Sequence, residues 1–271
     1  MEPLPGPEEL ARLGEAVVAG DTPALRLVGL CRTFGDRTVV DHVSLTVPRG
    51  SFFGLVGPDG AGKTTTLSMG VGLLRPDAGS AHILGVDVWE DPDRAKALVG
   101  VLPDGLFLPE RLTGRELLTY TGLLRGLDPG TVARRARELV EVLELDEAAR
   151  TLLVDCPVGT RKKIGLAVAL LHAPRLLVLD EPFEAVDPVS AVTMRAVLRR
   201  FVADGGAVVL AGHEVAPVEH LCDHVAVIAD GRVVTSGPLE QVRGDRGLGE
   251  TFVGPVGGRA GGGGRSSWSV S

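Results

Sequence analysis

Gly57-Pro58-Asp59-Gly60-Ala61-Gly62-Lys63-Thr64 satisfies the spacing G-x-x-x-x-G-K-[ST], and each residue type answers a need of phosphate chemistry. Glycines let successive backbone N–H groups turn inward around phosphate oxygens, and a helix starting at the lysine adds the positive end of its dipole. The Lys63 ammonium is placed to neutralise β- and γ-phosphates. The Thr64 hydroxyl is placed to ligate Mg²⁺, with Thr65 beside it in the same turn. A glycine-rich turn without a ligand is the weaker reading. An apolar run, SFFGLVG, feeds straight into the loop and a helix follows, which is the context the phosphate reading requires. Lysine is also scarce, with 4 among the 28 basic residues, so a lysine at this position stands out.

A second constellation is RLLVLDEP, Arg175 to Pro182. Its apolar residues read as a buried strand that ends at Asp180, from where a carboxylate can reach Mg²⁺. Glu181 follows immediately, beyond the strand end, where it can orient or deprotonate an attacking water. Adjacent acids at a strand end are often a helix cap, but a phosphate loop in the same chain favours chemistry. The third constellation, GAVVLAGHE, ends a strand at His213. A histidine there can contact a γ-phosphate and hold Glu181 and the water. A zinc reading of HEVAP fails, since no second histidine follows four residues on. His220, Cys222 and His224 read as solvated and core-facing residues of one helix turn rather than a metal cluster. His42, His82 and His172 have no partners in sequence and read as structural.

The elements that must position these residues alternate. Strand patterns occur at ALRLVGL, at VSLTV after a turn at Phe34-Gly35-Asp36, and at SFFGLVG. They recur at SAHILG, LVGVLP, RLLVLD, GAVVLAG and HVAVIADGRVV. Helical patterns fall near 110–126, 131–145, 160–172, 188–203 and 214–222. Alternation of this kind predicts an α/β sheet with helices on both faces. Between 106 and 172 helical patterns follow one another without a strand, which reads as a helical subdomain inserted in the α/β core. Residues 1–22, Pro- and Glu-rich, are expected to form a loosely attached tail. The Gly/Ser-rich stretch 241–271 is expected to be a flexible tail, leaving 23–240 as the folded domain. There is no internal repeat.

Composition narrows the function. With 271 residues, 44% hydrophobic and 23% charged, the chain suits one sizeable soluble domain. No apolar run approaches the roughly 20 residues that cross a bilayer, and MEPLPGPEEL lacks a basic leader. A cytoplasmic protein is therefore expected, with any membrane role exercised through a partner. Three cysteines, Cys31, Cys156 and Cys222, are odd in number and form no C-x-x-C pair, so they read as buried or incidental thiols. The net charge of −7 argues against a nucleic-acid partner.

Over about residues 24–240 these motifs, in this order, resemble the nucleotide-binding subunit of an ABC transporter, specifically the separately encoded ATPases of ABC-2 type exporters. The resemblance implies an α/β fold: a RecA-like P-loop NTPase core with an antiparallel β subdomain and an inserted helical subdomain. It implies ATP and Mg²⁺ as cofactors and no other metal. It makes Phe34, in RTFGD, the aromatic that stacks on adenine, and Asp187, in EPFEAVDP, an acid that contacts the opposing subunit. Two such subunits, identical or different, would sandwich two ATPs, and the helical insert would dock on membrane-spanning permease subunits. The place implied is peripheral, at the inner face of the cell membrane.

Two positions depart from the family's pattern. Asp104, in VLPDGLF, stands where a glutamine usually serves Mg²⁺ and the lytic water, adding a carboxylate near the phosphates. The family's signature segment corresponds to Cys156-Pro157-Val158-Gly159-Thr160. Pro157 lacks the serine hydroxyl that bonds the other subunit's γ-phosphate, and it lacks a backbone N–H. Val158 puts a branched side chain where glycine commonly lets backbone approach. Gly159 and the helix start keep some dipole attraction for phosphate. The following Arg161-Lys162-Lys163 run reads as a solvated or phosphate-facing helix end.

Two functions are open at this point. One is an ATPase that dimerises around MgATP, hydrolyses it with Glu181 and His213, and powers export through separate membrane subunits. The other is an ATP-binding regulatory or assembly component with little turnover, because its signature half is poor. A soluble translation- or repair-type ATPase of the same family is weaker still, since the chain has neither tandem nucleotide domains nor a long coiled-coil insert.

Overall fold

The computed structural model describes residues 22–244; the expected tails lie outside it, apart from Thr22 and the segment 241–244. Two sheets organise the described residues. The first is antiparallel, of four strands in the order β2-β1-β4-β5: β1 (Leu25–Phe34), β2 (Arg37–Val47), β4 (Ala78–Ile83) and β5 (Val86–Asp87). The second has six strands in the order β10-β9-β3-β8-β7-β6. These are β3 (Phe52–Val56), β6 (Val99–Leu102), β7 (Leu176–Asp180), β8 (Ala207–Gly212), β9 (His224–Ala229) and β10 (Arg232–Pro238). Neighbours in it are parallel except at the β9–β10 edge. Every residue of β3, β7 and β8 is buried, as expected of parallel strands covered on both faces.

Period-two alternation sorts the sheet's side chains into two cores. Phe52, Val56, Leu177, Leu179, Val208 and Leu210 face one side. Phe53, Leu55, Leu176, Val178, Val209 and Ala211 face the other, together with the antiparallel sheet. Helix α1 (Lys63–Gly70) and helix α2 (Pro92–Leu98) pack on that second side through Leu67, Met69, Ala95 and Leu98. Helix α2 is too short for its apolar repeat to announce it. Its start signals are Asp91, which caps Arg94 N–H, and Pro92 in the first turn.

Between β6 and β7 the chain is helical, as the unbroken helical patterns predict. It contains α3 (Gly114–Leu124), α4 (Pro129–Val142), a 3₁₀ turn (Leu153–Asp155) and α5 (Val158–Leu170). Thr113 and Glu116 close α3 with a capping box, and Asp128 followed by Pro129 starts α4. Leu117, Leu118, Ala136, Val140 and Leu143 share the first core with Leu102 and Leu177, so this block is packed continuously with the sheet. Helices α6 (Pro188–Ala203), α7 (Val215–Leu221) and α8 (Leu239–Arg243) cover the same side. Helix α8 runs past residue 240, where the tail was expected to begin.

One partly buried histidine predicts a pH response of the fold. His172, just after α5, lies 3.0 Å through Nε2 from the Val99 carbonyl, while its Nδ1 has no partner. The neutral ring donates from Nε2, and a second proton would be stranded. Burial, aided by the nearby charge of Arg125, pushes its pKa down from 6.5 to about 3. Below about pH 6.5 the unfolded chain therefore takes up a proton that the folded chain refuses, and stability falls as pH drops through that window. His172→Gln keeps a donor for Val99 without the titration. Its unfolding free energy should fall less steeply in acid, by up to about 1.4 kcal/mol per pH unit. Parallel urea titrations at about pH 6.5 and 4.5 check this, and identical slopes for the two proteins would refute it.

Candidate functional site

The phosphate loop leaves β3 at Val56 and enters α1 at Lys63. Two glycines are dictated by space as well as by torsion. A β-carbon on Gly57 would lie 2.1 Å from the Ile228 carbonyl, and Gly62, with φ of 99°, would put one 2.6 Å from the Val39 carbonyl. The loop is thus clamped between β9 and the β1–β2 hairpin. Lys63 is buried, and its ammonium donates to the carbonyls of Gly57 (2.8 Å) and Pro58 (3.1 Å). That fixes the charge at the mouth of the loop.

A cleft of about 380 Å³ opens there. Its wall contains Asp59 to Thr65 of the loop and α1, Asp104 from beyond β6, Glu181 from the end of β7, and His213 from the end of β8. Three expected constellations therefore converge, because β3, β7 and β8 are adjacent parallel strands whose carboxyl ends share one edge. Asp180, the last residue of β7, sits beside Thr64 and is only 5% exposed, and its Oδ1 has no hydrogen-bond partner. Burial raises its pKa, the Thr64 hydroxyl opposes that, and the neighbouring Asp104 carboxylate adds to it. An orphaned carboxylate oxygen beside a hydroxyl and an acid is what a hard cation requires.

Glu181 Oε1 lies 3.1 Å from His213 Nδ1. Burial raises the Glu181 pKa while the histidine lowers it; the same hydrogen bond raises that of His213, which burial opposes. The pair is suited to share and move a proton. Asp59 brings a third potential ligand, so that Asp59, Glu181 and His213 offer atoms within 4.8 Å of one another. Phe34 does not line the cleft. It is 47% exposed at the tip of the hairpin, with the Arg32 guanidinium 4.9 Å from its ring centre. Its strand partner Arg37 reaches back to within 3.8 Å of the space beside Gly60. Arg37 escaped the motif reading because only the hairpin register brings it to the loop.

Known proteins agree with this geometry. A family profile described as ABC transporter matches residues 40–184. The chain is 37% identical to the Nod factor export ATP-binding protein I of Ralstonia nicotianae, over 80% of this chain and 68% of that one. It is 35% identical to the daunorubicin/doxorubicin resistance ATP-binding protein DrrA of Streptomyces peucetius, over 82% and 67%. A solved ATP-binding subunit of an ABC transporter superposes with a TM-score of 0.79 at 27% identity, covering 85% of this chain and 98% of the other. This chain belongs to the ABC transporter family. It is an ATP-binding protein and an ATPase of that family.

The segment that departs from the ABC signature lies away from the cleft: none of the described residues lining it comes from 157–160. Pro157 is the N-cap of α5 and makes no side-chain cap, leaving the first N–H groups of the helix without a capping oxygen. Val158 is 51% exposed. A β-carbon on Gly159 would sit 2.9 Å from Asp187 Oδ2, so glycine is needed there for packing within the chain. Asp187 itself caps α6, accepting from Ser190 N–H at 2.9 Å, and that bond holds its carboxyl below the usual range. Lys162 and Lys163 correct the sequence reading, which made them a solvated or phosphate-facing helix end. Both are buried, Lys162 donating to the Glu181 carbonyl and Lys163 to the Glu144 carbonyl at 3.4 Å. Helix α5 is buried on nearly every side, so it has no polar face on which to seat them.

No described helix is long and apolar enough to cross a membrane.

Proposed function

We propose that this protein binds MgATP in the cleft and hydrolyses it as one of two ATP-binding subunits, powering export through separate membrane-spanning subunits from the inner face of the membrane. The observation that carries the reading is the Glu181–His213 pair, 3.1 Å apart, facing Lys63 and Thr64 across one cleft. The loop N–H groups, Lys63 and Arg37 hold the phosphates; Thr64 and Asp180, joined by Asp104, fit the Mg²⁺. Bound Mg²⁺ supplies neutralisation of the β- and γ-oxygens. Glu181 accepts a proton from a water whose oxygen bonds to the γ-phosphorus, the bond to the β-bridging oxygen breaks, and ADP and phosphate leave. His213 holds the carboxylate in place. The exposed Phe34 ring is the proposed face for adenine. The name of one relative, a Nod factor export ATP-binding protein, and the drug-resistance name of another support the direction of transport. The test is MgATP hydrolysis by the chain with its membrane partner, against a Glu181→Gln control. Turnover no higher than the control removes the proposal and leaves the regulatory reading.

Across the proposed dimer, Pro157, Val158, Gly159 and Thr160 would face the other subunit's nucleotide, with Asp187 nearby. A homodimer would set the weakened segment against both ATPs; a partner with an intact signature would repair one site. Slow hydrolysis is therefore expected of the isolated homodimer. Pro157→Ser with Val158→Gly returns a hydroxyl and a capping oxygen to the start of α5. A hydrogen bond to a charged group is worth about 1.5 kcal/mol or more, so turnover should rise about tenfold. Unchanged steady-state turnover in the double variant counts against a trans role for this segment.

A further inference from the structure

The turn that aims Glu181 is strained, and the groups that hold it come from several parts of the chain. Glu181 is a non-glycine residue with φ of 46°, directly before Pro182. A left-handed backbone costs about 1–3 kcal/mol at such a residue, and a following proline narrows its choices further. It persists only because neighbours over-determine it. The Glu181 N–H donates to the Ala211 carbonyl of β8 at 3.0 Å, and the side chain meets His213. The carbonyl accepts from the Glu184 N–H at 3.3 Å and from the Lys162 ammonium.

Lys162 is the member of this set that comes from a helix. It is 7% exposed, and a buried ammonium is costly unless it is hydrogen-bonded and its charge is met. The Glu181 carbonyl gives the hydrogen bond. The Asp180 carboxylate gives the charge: burial raises that acid's pKa, and Lys162 is among the cations that lower it. The stem leaves α5 one turn beyond Val158. One rigid helix thus has the signature segment at its N-terminus and the clamp on the Glu181 peptide a turn later.

We infer that Lys162 is a positioning residue: through the Glu181 carbonyl it holds the turn that aims the general-base carboxylate, and it links that turn to the helix bearing the signature segment. The inference rests on Glu181 being the base proposed above. Movement of α5 against a partner's nucleotide would reach Glu181 within the same chain, through one side chain. A salt-neutralising lysine that merely fills the core would support folding but would leave the chemical step alone. A clamp on the general base governs kcat and leaves nucleotide binding untouched.

The test compares Lys162→Met, Lys162→Arg and Lys162→Gln with Glu181→Gln in the full chain, measuring single-turnover hydrolysis, MgATP affinity and thermal melting. Lys162→Met should lower the rate of hydrolysis about ten- to thirtyfold while MgATP affinity stays within about twofold. Lys162→Arg, which keeps a charged donor, should recover at least about a third of the parent rate. Should the Met variant fail to fold, the Gln and Arg variants decide, with a loss in Gln that Arg restores as the expected result. If Glu181→Gln abolishes hydrolysis while the folded Lys162 variants match the parent, the inference is wrong and the proposed function stands. A loss confined to MgATP affinity overturns it equally. If Glu181→Gln hydrolyses at the parent rate, the reading of the site fails first and the role of Lys162 falls with it.

Discussion

Glu181→Gln is expected to lower MgATP hydrolysis by about 10²- to 10³-fold, with MgATP affinity kept within about twofold. The amide is nearly isosteric and can still hydrogen-bond to His213, which lies 3.1 Å from the carboxylate. What it cannot do is accept the proton of the attacking water. Its effect therefore belongs to the chemical step. The same substitution should not destabilise the fold. Burial raises the Glu181 pKa, so the folded state disfavours the charged form, and a neutral amide relieves that cost. A thermal melt no lower than the parent's, beside a collapsed rate, is the joint signature of a site held against the preference of the fold. Hydrolysis above about one tenth of the parent rate would place the base elsewhere in the cleft. Quench-flow measurement of phosphate release, paired with equilibrium MgATP titration, separates the two quantities.

The parts of this site that the sequence displayed are those whose geometry is local. The loop from Gly57 to Thr64 closes on itself, and its lysine donates to carbonyls five and six residues back, so spacing alone encodes it. Asp180 and His213 were readable because each ends an apolar run, and β7 and β8 are buried throughout. Buried parallel strands announce themselves by composition. Their order in the sheet does not show, since β3 lies between β8 and β9 through pairings that no short pattern records. Phe34 came from family resemblance rather than from its neighbours.

What stayed hidden depends on contacts distant in sequence. Arg37 reaches the phosphate loop only through the hairpin register that pairs it with Phe34. Lys162 and Lys163 looked like a solvated helix end because charge usually marks a solvated face. That inference needs a helix with two distinguishable faces, and Gly159, Ile164, Gly165, Leu166 and Ala167 of α5 are buried as well. With no polar stripe the phase cannot be read, and the direction of a lysine follows from the carbonyl that waits for it. The strained Glu181 peptide was hidden for a related reason: a positive φ at a glutamate leaves no mark in composition, only in the partners that enforce it.

Lys63→Met should abolish measurable hydrolysis and weaken MgATP binding by about 30-fold or more, a loss near 2 kcal/mol. The methionine keeps most of the stem in a pocket that leaves Lys63 6% exposed, so the loop should keep its shape. Lys63→Arg would not be the milder change, because a planar guanidinium cannot occupy a slot shaped for an ammonium between two carbonyls 2.8 and 3.1 Å away. Two opposing terms keep the stability effect of Lys63→Met small, within about 1 kcal/mol. The Gly57 and Pro58 carbonyls lose a charged donor, but the fold no longer holds a desolvated ammonium. The charge is therefore retained for a ligand, not for the loop. Its removal leaves Asp59, Asp104 and Glu181 of the cleft wall, and Asp180 beside Asp104, without that cation, so the repulsion felt by an incoming triphosphate grows as the attraction disappears. Affinity should fall more steeply at low ionic strength, where that repulsion is least screened. Binding within threefold of the parent at both low and physiological salt would show that the phosphates rest elsewhere.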